Sequence, residues 1–236
     1  MLAQPQSSRT FVYVTVYPDN YDETKAYPLV IFLHGYGAHM YDLTSLAPSI
    51  NEQGYIYVFP NAPIPVLIGQ GMVGYSWRPP RDDGSDIAIQ QEKATFIENQ
   101  LWDYFAEVQE RYSTPPGQTL LAGFSQGGTM AYNLGLPRPD LFAGIAALST
   151  ALPAASAGDN PSGVILPEDR SQPIFIAHGL RDNMIAPDRA RQSKLFLEEN
   201  GFQPEYHEYD IGHEISQEVL GDLAVWARST LPPLTS

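Results

Sequence analysis

The sequence predicts an α/β fold in which a mainly parallel twisted sheet carries helices on both faces. Short apolar or β-branched runs alternate along the chain with stretches of helical period, the order that builds parallel crossovers. One of those runs, Tyr27 to Leu33 (YPLVIFL), has no polar face, as a strand covered by helices on both sides requires. The histidines, glycines and acids of LHGYG, GFSQGG and AHGLRD stand just where such runs end. In this architecture, groups at the carboxyl ends of the strands line the ligand crevice.

The elements follow in order. Phe11 to Tyr17 (FVYVTVY) alternates β-branched and aromatic residues, as an edge or antiparallel strand does. PDNYDETKAY reads as a turn, and Asp19, Asp22 and Glu23 within it as solvated acids. After the strand 27–33, Asp42 to Ile50 forms a helix with Leu43, Leu46, Ala47 and Ile50 on one face. Gly54 releases the chain into the β-rich YIYVFPNAP. The segment Pro63 to Pro80 is apolar and rich in Pro and Gly, without a clean period, and too greasy for a free linker. The acids of Arg81 to Asp86 lack calcium-loop spacing and suit the start of the helix Ile87 to Tyr112. TLLAGF and Gly144 to Leu148 are strands. Thr150 to Gln172 is a long excursion, either a lid over the site or a surface loop. Pro173 to Ala177 is a strand, Pro187 to Asn200 a helix, Pro204 to Asp210 a strand and Glu214 to Ser229 a closing helix. With no repeat or linker, residues 1–236 read as one domain.

Composition narrows the function. Hydrophobic residues make up 43% and charged residues 17%, as in a folding globular chain. Thirteen basic against twenty-seven acidic residues give a net charge of −14, which repels nucleic acid and anionic lipid. The absence of cysteine excludes thiolate nucleophiles and Cys-ligated zinc. MLAQPQSSRT carries no secretion signal and no apolar run reaches membrane-spanning length, so a cytoplasmic protein without stable membrane association is expected. No metal and no cofactor are assigned.

Gly123-Phe124-Ser125-Gln126-Gly127 satisfies G-x-S-x-G between an expected strand and an expected helix, the context the motif needs. Small neighbours permit a sharp turn from which the serine Oγ projects, and the following helix aims its free N–H groups at the same point. A serine N-cap beside a glycine turn has the same local sequence. A catalytic serine needs a histidine base held by a carboxylate. Of the five histidines, His207 lies inside a strand, His39 in a surface loop, and His34 and His178 precede glycines in turns. His213 stands after the last strand, in the Ser–acid–His order of this architecture. Asp182, past PIFIAHG, is the favoured acid, because loops from two strands oppose acid and base better than neighbours on one loop. Asp210 is the competitor.

Leu33-His34-Gly35-Tyr36-Gly37, Pro60-Asn61-Ala62-Pro63, Gly123 to Gly128, His178-Gly179-x-x-Asp182 and Gly212-His213-Glu214-Ile215 occur in this order. With them the chain resembles the phospholipase/carboxylesterase family of α/β-hydrolases from about Val30 to the closing helix. The resemblance implies an α/β-hydrolase fold with Ser125 as nucleophile, His213 as base and then acid, and Asp182 as orienting carboxylate. It also implies an oxyanion hole built from the backbone N–H groups of Gln126 and Tyr36, whose side chains need not be special. A homodimer is an oligomeric state the resemblance allows. Relatives carry Trp-Phe/Tyr-Asp after the Pro/Gly loop; here Tyr75-Ser76-Trp77-Arg78-Pro79 keeps only the tryptophan, which weakens the substrate assignment. Ile68, Met72, Val73 and Trp77 are candidate pocket residues, with Trp77 equally readable as an anchor of the loop.

The implied activity is a serine carboxylesterase acting on small to medium acyl esters through an acyl-enzyme. A lysophospholipase or acyl-thioesterase is the nearest alternative, disfavoured by the acidic charge. A non-catalytic binding scaffold is the alternative of another class, its usual sign being a damaged triad. A dienelactone-type hydrolase would carry cysteine at the turn.

Overall fold

The computed structural model describes residues 1–69, 71–79, 86–153 and 164–235. Among the described residues ten strands and five α-helices follow one another: β1 Leu2–Ser7, β2 Val12–Tyr17, β3 Leu29–Leu33, α1 Ala47–Ile50, β4 Ile56–Pro60, β5 Ile64–Leu67, β6 Val73–Ser76, α2 Ile87–Arg111, β7 Thr119–Phe124, α3 Gln126–Gly135, β8 Gly144–Leu148, β9 Ile174–Gly179, α4 Pro187–Glu199, β10 Glu205–Tyr209 and α5 Gln217–Thr230. Eight strands form one sheet in the order β1-β2-β4-β3-β7-β8-β9-β10, and β5 and β6 form a separate hairpin. From β4 to β10 every pairing is parallel; β2 joins β4, and β1 joins β2, antiparallel.

The run YPLVIFL explains the layering. All five residues of β3 are buried, and they alternate between two cores. Leu29, Ile31 and Leu33 pack with Leu101 and Phe105 of α2, Met130 of α3 and Leu197 of α4. Val30 and Phe32 pack with Ala47 and Ile50 of α1 and Leu220, Leu223 and Trp226 of α5. Successive strand side chains point to opposite faces, so a strand sandwiched by helices must be apolar throughout.

Four elements differ from expectation. β1 has no signal in the sequence, because LAQPQS is polar and contains a proline; the strand lies on the sheet edge, almost entirely exposed, where a missing N–H is tolerated. The helix expected over 42–50 is a 3-10 turn, Thr44–Leu46, followed by the four-residue α1, with Pro48 in its first turn. The aperiodic segment 63–80 holds the β5–β6 hairpin, whose pairing runs from Ile64↔Ser76 to Leu67↔Val73. The closing helix starts at Gln217 rather than Glu214, because the Ser216 hydroxyl caps it by accepting from the N–H of Val219. That leaves 211–215 as the loop carrying His213.

Residues 81–85 of the acidic stretch lie outside the described residues, while Asp86 caps α2 by accepting from the N–H of Ala88 at 2.7 Å. Residues 154–163 of the long excursion likewise lie outside them. Among the described residues no helix is long and apolar enough to cross a membrane.

Candidate active site

Ser125 occupies the single residue between β7 and α3, with φ 53° and ψ −118°. That conformation is costly for a residue with a side chain, and it persists only where its surroundings hold it. Here they do: the Ser125 N–H donates to the carbonyl of Leu148 at the end of β8 at 2.9 Å. The flanking glycines are steric necessities. A Cβ on Gly123 would lie 2.2 Å from the Gly127 carbonyl oxygen, and one on Gly127 would lie 2.1 Å from that of Leu33.

The other two residues of the expected triad converge on this turn. His213 Nε2 is 2.9 Å from Ser125 Oγ, and Nδ1 is 2.7 Å from Asp182 Oδ2. The imidazole leans on the Phe124 ring, centroids 4.9 Å apart. Since a carboxylate only accepts, Nδ1 carries the proton and the Nε2 lone pair faces the serine hydroxyl. Asp182 is 5% exposed, and its Oδ1 accepts the N–H groups of Met184 and Ile185, each at 2.9 Å. Burial pushes its pKa up, but the N–H of Ile185, His213 and the N–H of Met184 outweigh it and hold the carboxyl below its ordinary range. The loops bearing acid and base touch through their backbones. Arg181 N donates to Ile211 O at 2.9 Å, and a Cβ on Gly179 would sit 2.2 Å from the carbonyl oxygen of Gly212. Asp210 turns outward, 80% exposed and paired with Arg181.

The two residues expected to supply the oxyanion donors border the Ser125 turn. Gln126 is the first residue of α3, where a backbone N–H has no helical partner. Tyr36 lies in the loop after β3, and a Cβ on Gly35 would be 3.4 Å from the Ser125 Cβ. Among the described residues neither N–H has an acceptor. His34, 2% exposed, anchors this loop: its Nδ1–H donates to Gly35 O at 2.8 Å and its Nε2 accepts from Ala62 N at 3.1 Å. The bond accepted at Nε2 needs a neutral ring, and burial lowers its pKa to about 4. His39 is exposed beside Asp42, and His207 is half-buried in β10, 2.9 Å from Glu205.

The pocket expectations divide. Trp77 is fully buried in the core, and its indole N–H donates to the carbonyl of His34 at 2.8 Å. This placement favours the loop-anchor reading of its two expected ones, since the indole satisfies its one polar atom inside an apolar core. Ile68, Met72 and Val73 are exposed at the hairpin tip, and only Ile68 approaches the oxyanion loop, its Cγ2 being 2.8 Å from where a Cβ on Gly37 would stand.

Two side chains near the site hold positions that sequence reasoning misses. Gln126, expected to contribute a backbone N–H and a side chain that need not be special, is also bonded through its amide to Ser76 and Trp77. His178 is buried, its Nε2 donating to Ile185 O at 2.8 Å and lying 3.3 Å from Asp182 Oδ2. It holds the turn that presents Asp182. No sequence signal marks the glutamine's role, whereas a histidine ending an apolar strand hints at a buried one.

The family model described as Phospholipase/Carboxylesterase matches residues 20–230. The chain belongs to the phospholipase/carboxylesterase family. A probable carboxylesterase of Oryza sativa subsp. japonica is 30% identical over 187 residues, 74% of this chain; the match spans 66% of that protein, just under two thirds. Acyl-protein thioesterase 1 of Candida albicans is 30% identical over 221 residues, covering 87% of this chain and 92% of that one. Among solved structures, esterase PE8 matches with a TM-score of 0.73 at 27% identity, over 92% of this chain and 97% of that chain. The fold of the family is the α/β-hydrolase fold that the sequence predicts.

Proposed function

We propose that this member of the family is a serine carboxylesterase that cleaves small to medium acyl esters through an acyl-enzyme. The observation that carries the reading is the unbroken chain Asp182–His213–Ser125, at 2.7 and 2.9 Å, ending on a serine held at positive φ. Ser125 Oγ attacks the ester carbonyl while His213 Nε2 takes its proton. The imidazolium so formed is stabilised by the ionised Asp182, and the oxyanion accepts the N–H groups of Gln126 and Tyr36. His213 then returns the proton to the leaving alkoxide, the alcohol departs and Ser125 remains acylated. Water, deprotonated by the same histidine, attacks the acyl carbon; collapse releases the acid and restores the Ser125 hydroxyl.

The likeness to an acyl-protein thioesterase supports a second reading, an acyl-thioester substrate at the same triad. A net charge of −14 opposes recruitment to anionic lipid surfaces, which favours soluble esters. Rates on a chain-length series of nitrophenyl esters, on acyl-thioesters and on lysolipids, for wild type and Ser125→Ala, test both. Preference for long-chain lysolipid or thioester overturns the substrate class. Substantial ester turnover by the Ser125→Ala protein overturns the mechanism.

A further inference from the structure

The two N–H groups assigned to the oxyanion belong to segments far apart in the chain, yet both are tied to one four-residue stretch, 74–77. On one side the hairpin grips the loop after β3. The N–H of Gly37 donates to Tyr75 O at 2.9 Å, and the N–H of Tyr75 donates to Ala38 O at 3.0 Å. This contact depends on Gly74, where a Cβ would stand 1.9 Å from the carbonyl oxygen of Gly37. On the other side the grip is a single side chain. Gln126 Oε1 accepts the N–H of Trp77 at 2.9 Å, and its Nε2 donates to Ser76 Oγ at 3.0 Å. The Ser76 hydroxyl donates its own proton to Arg78 O at 2.6 Å, so toward Gln126 it acts as acceptor and the amide orientation is fixed. Ser76 is fully buried and Gln126 half-buried, so on the serine side an unpaired partner is costly.

A donor pair stabilises a developing oxyanion only if its spacing is set before the reaction begins. We propose that the Gln126 side chain is a positioning residue: by clamping Ser76 and Trp77 it sets the spacing between its own N–H and that of Tyr36. The inference rests on the esterase reading of Ser125 but concerns a group that touches neither substrate nor reacting atoms. A residue of merely structural value would change the unfolding midpoint and leave transition-state binding intact. A positioning residue changes kcat and the affinity for a tetrahedral adduct together, with KM unmoved.

The test is a double-mutant cycle on Gln126→Met, which keeps volume but removes both bonds, and Ser76→Ala. Gln126→Asn, one methylene shorter, serves as second probe should the methionine variant not fold. All proteins are assayed with nitrophenyl butyrate, and with phenylboronic acid as the tetrahedral analogue, at a temperature below every variant's melting transition. Each single variant is expected to lose about tenfold or more in kcat, with KM held within about twofold and phenylboronic acid binding weakened by the same factor as kcat. The double variant is expected to be no slower than the slower single, because both act through one contact. Wild-type kcat in the single variants, a change confined to KM, or losses that multiply in the double variant would each overturn the inference. Ser125→Ala run alongside separates the two claims: residual esterase activity there sinks the mechanism itself, whatever the clamp variants do.

Discussion

Asp182 Oδ2 lies 2.7 Å from His213 Nδ1, although 31 residues separate them, while Asp210 in the histidine's own loop points to solvent. The acid that reaches the ring comes from the neighbouring strand's loop, pressed against the histidine's loop at Gly179 and Gly212. Asp182→Asn should therefore lower kcat by about a thousandfold or more, because the amide no longer holds the Nδ1–H tautomer or stabilises the imidazolium. Asp210→Asn should change kcat by less than about twofold, since it removes an exposed ion pair. Steady-state kinetics on one nitrophenyl ester decide; equal losses would reassign the acid.

The glycines at the turn make opposite predictions from those elsewhere. Gly127→Ala forces a methyl to 2.1 Å from the Leu33 carbonyl oxygen, a backbone atom that cannot step aside, and should cost about 3 kcal/mol or more. Gly221, in α5, has open space where a Cβ would stand, with nothing within 4 Å, and Gly221→Ala should add about 0.5–1 kcal/mol through helix propensity. Urea unfolding midpoints of the two variants should move in opposite directions from wild type.

His34 makes a pH prediction with a definite sign. Its pKa falls from 6.5 to about 4 on folding because burial disfavours the charged ring. Between those values the unfolded chain binds a proton that the folded chain refuses, so stability rises with pH and is lost as pH falls through the window. The shift is worth about 3 kcal/mol, accrued from the upper value down to the lower. Asp182, held below its ordinary range, loses stability in the same direction but at more acid pH. His34→Gln should flatten the dependence of unfolding free energy on pH between about 6.5 and 4 by one proton's slope, relative to wild type. An unchanged slope would show that His34 is protonated in the folded protein.

What could be read from the residues follows from which forces are local. β3, β7, β8 and β9 declare themselves because burial on both faces demands uninterrupted apolar sequence, and Ser125, Asp182 and His213 because they terminate or follow such runs. β1 was illegible, since an exposed edge strand has no apolar requirement and Pro5 argued against it. The β5–β6 hairpin was hidden by Gly and Pro, although its turn and its close approach to Gly37 need those glycines. Side-chain clamps such as Gln126 to Ser76 join residues 50 apart, and nothing in either neighbourhood announces the other.

Trp77 offers the last test, because its two readings part on measurement. A pocket wall would change which acyl chain is preferred when trimmed, with little effect on stability. The buried indole instead satisfies the carbonyl of His34 and packs against the Phe11 and His34 rings. Trp77→Phe keeps a ring but strands that carbonyl away from any donor, at about 1–3 kcal/mol. The same carbonyl precedes the Gly35–Tyr36 segment, so the loop carrying one proposed oxyanion donor loosens with it. The expected result is a lower unfolding midpoint and a kcat reduced by a similar factor for acetyl, butyryl and octanoyl nitrophenyl esters, leaving their relative order intact. A variant of wild-type stability with a reordered chain-length preference would return Trp77 to the pocket.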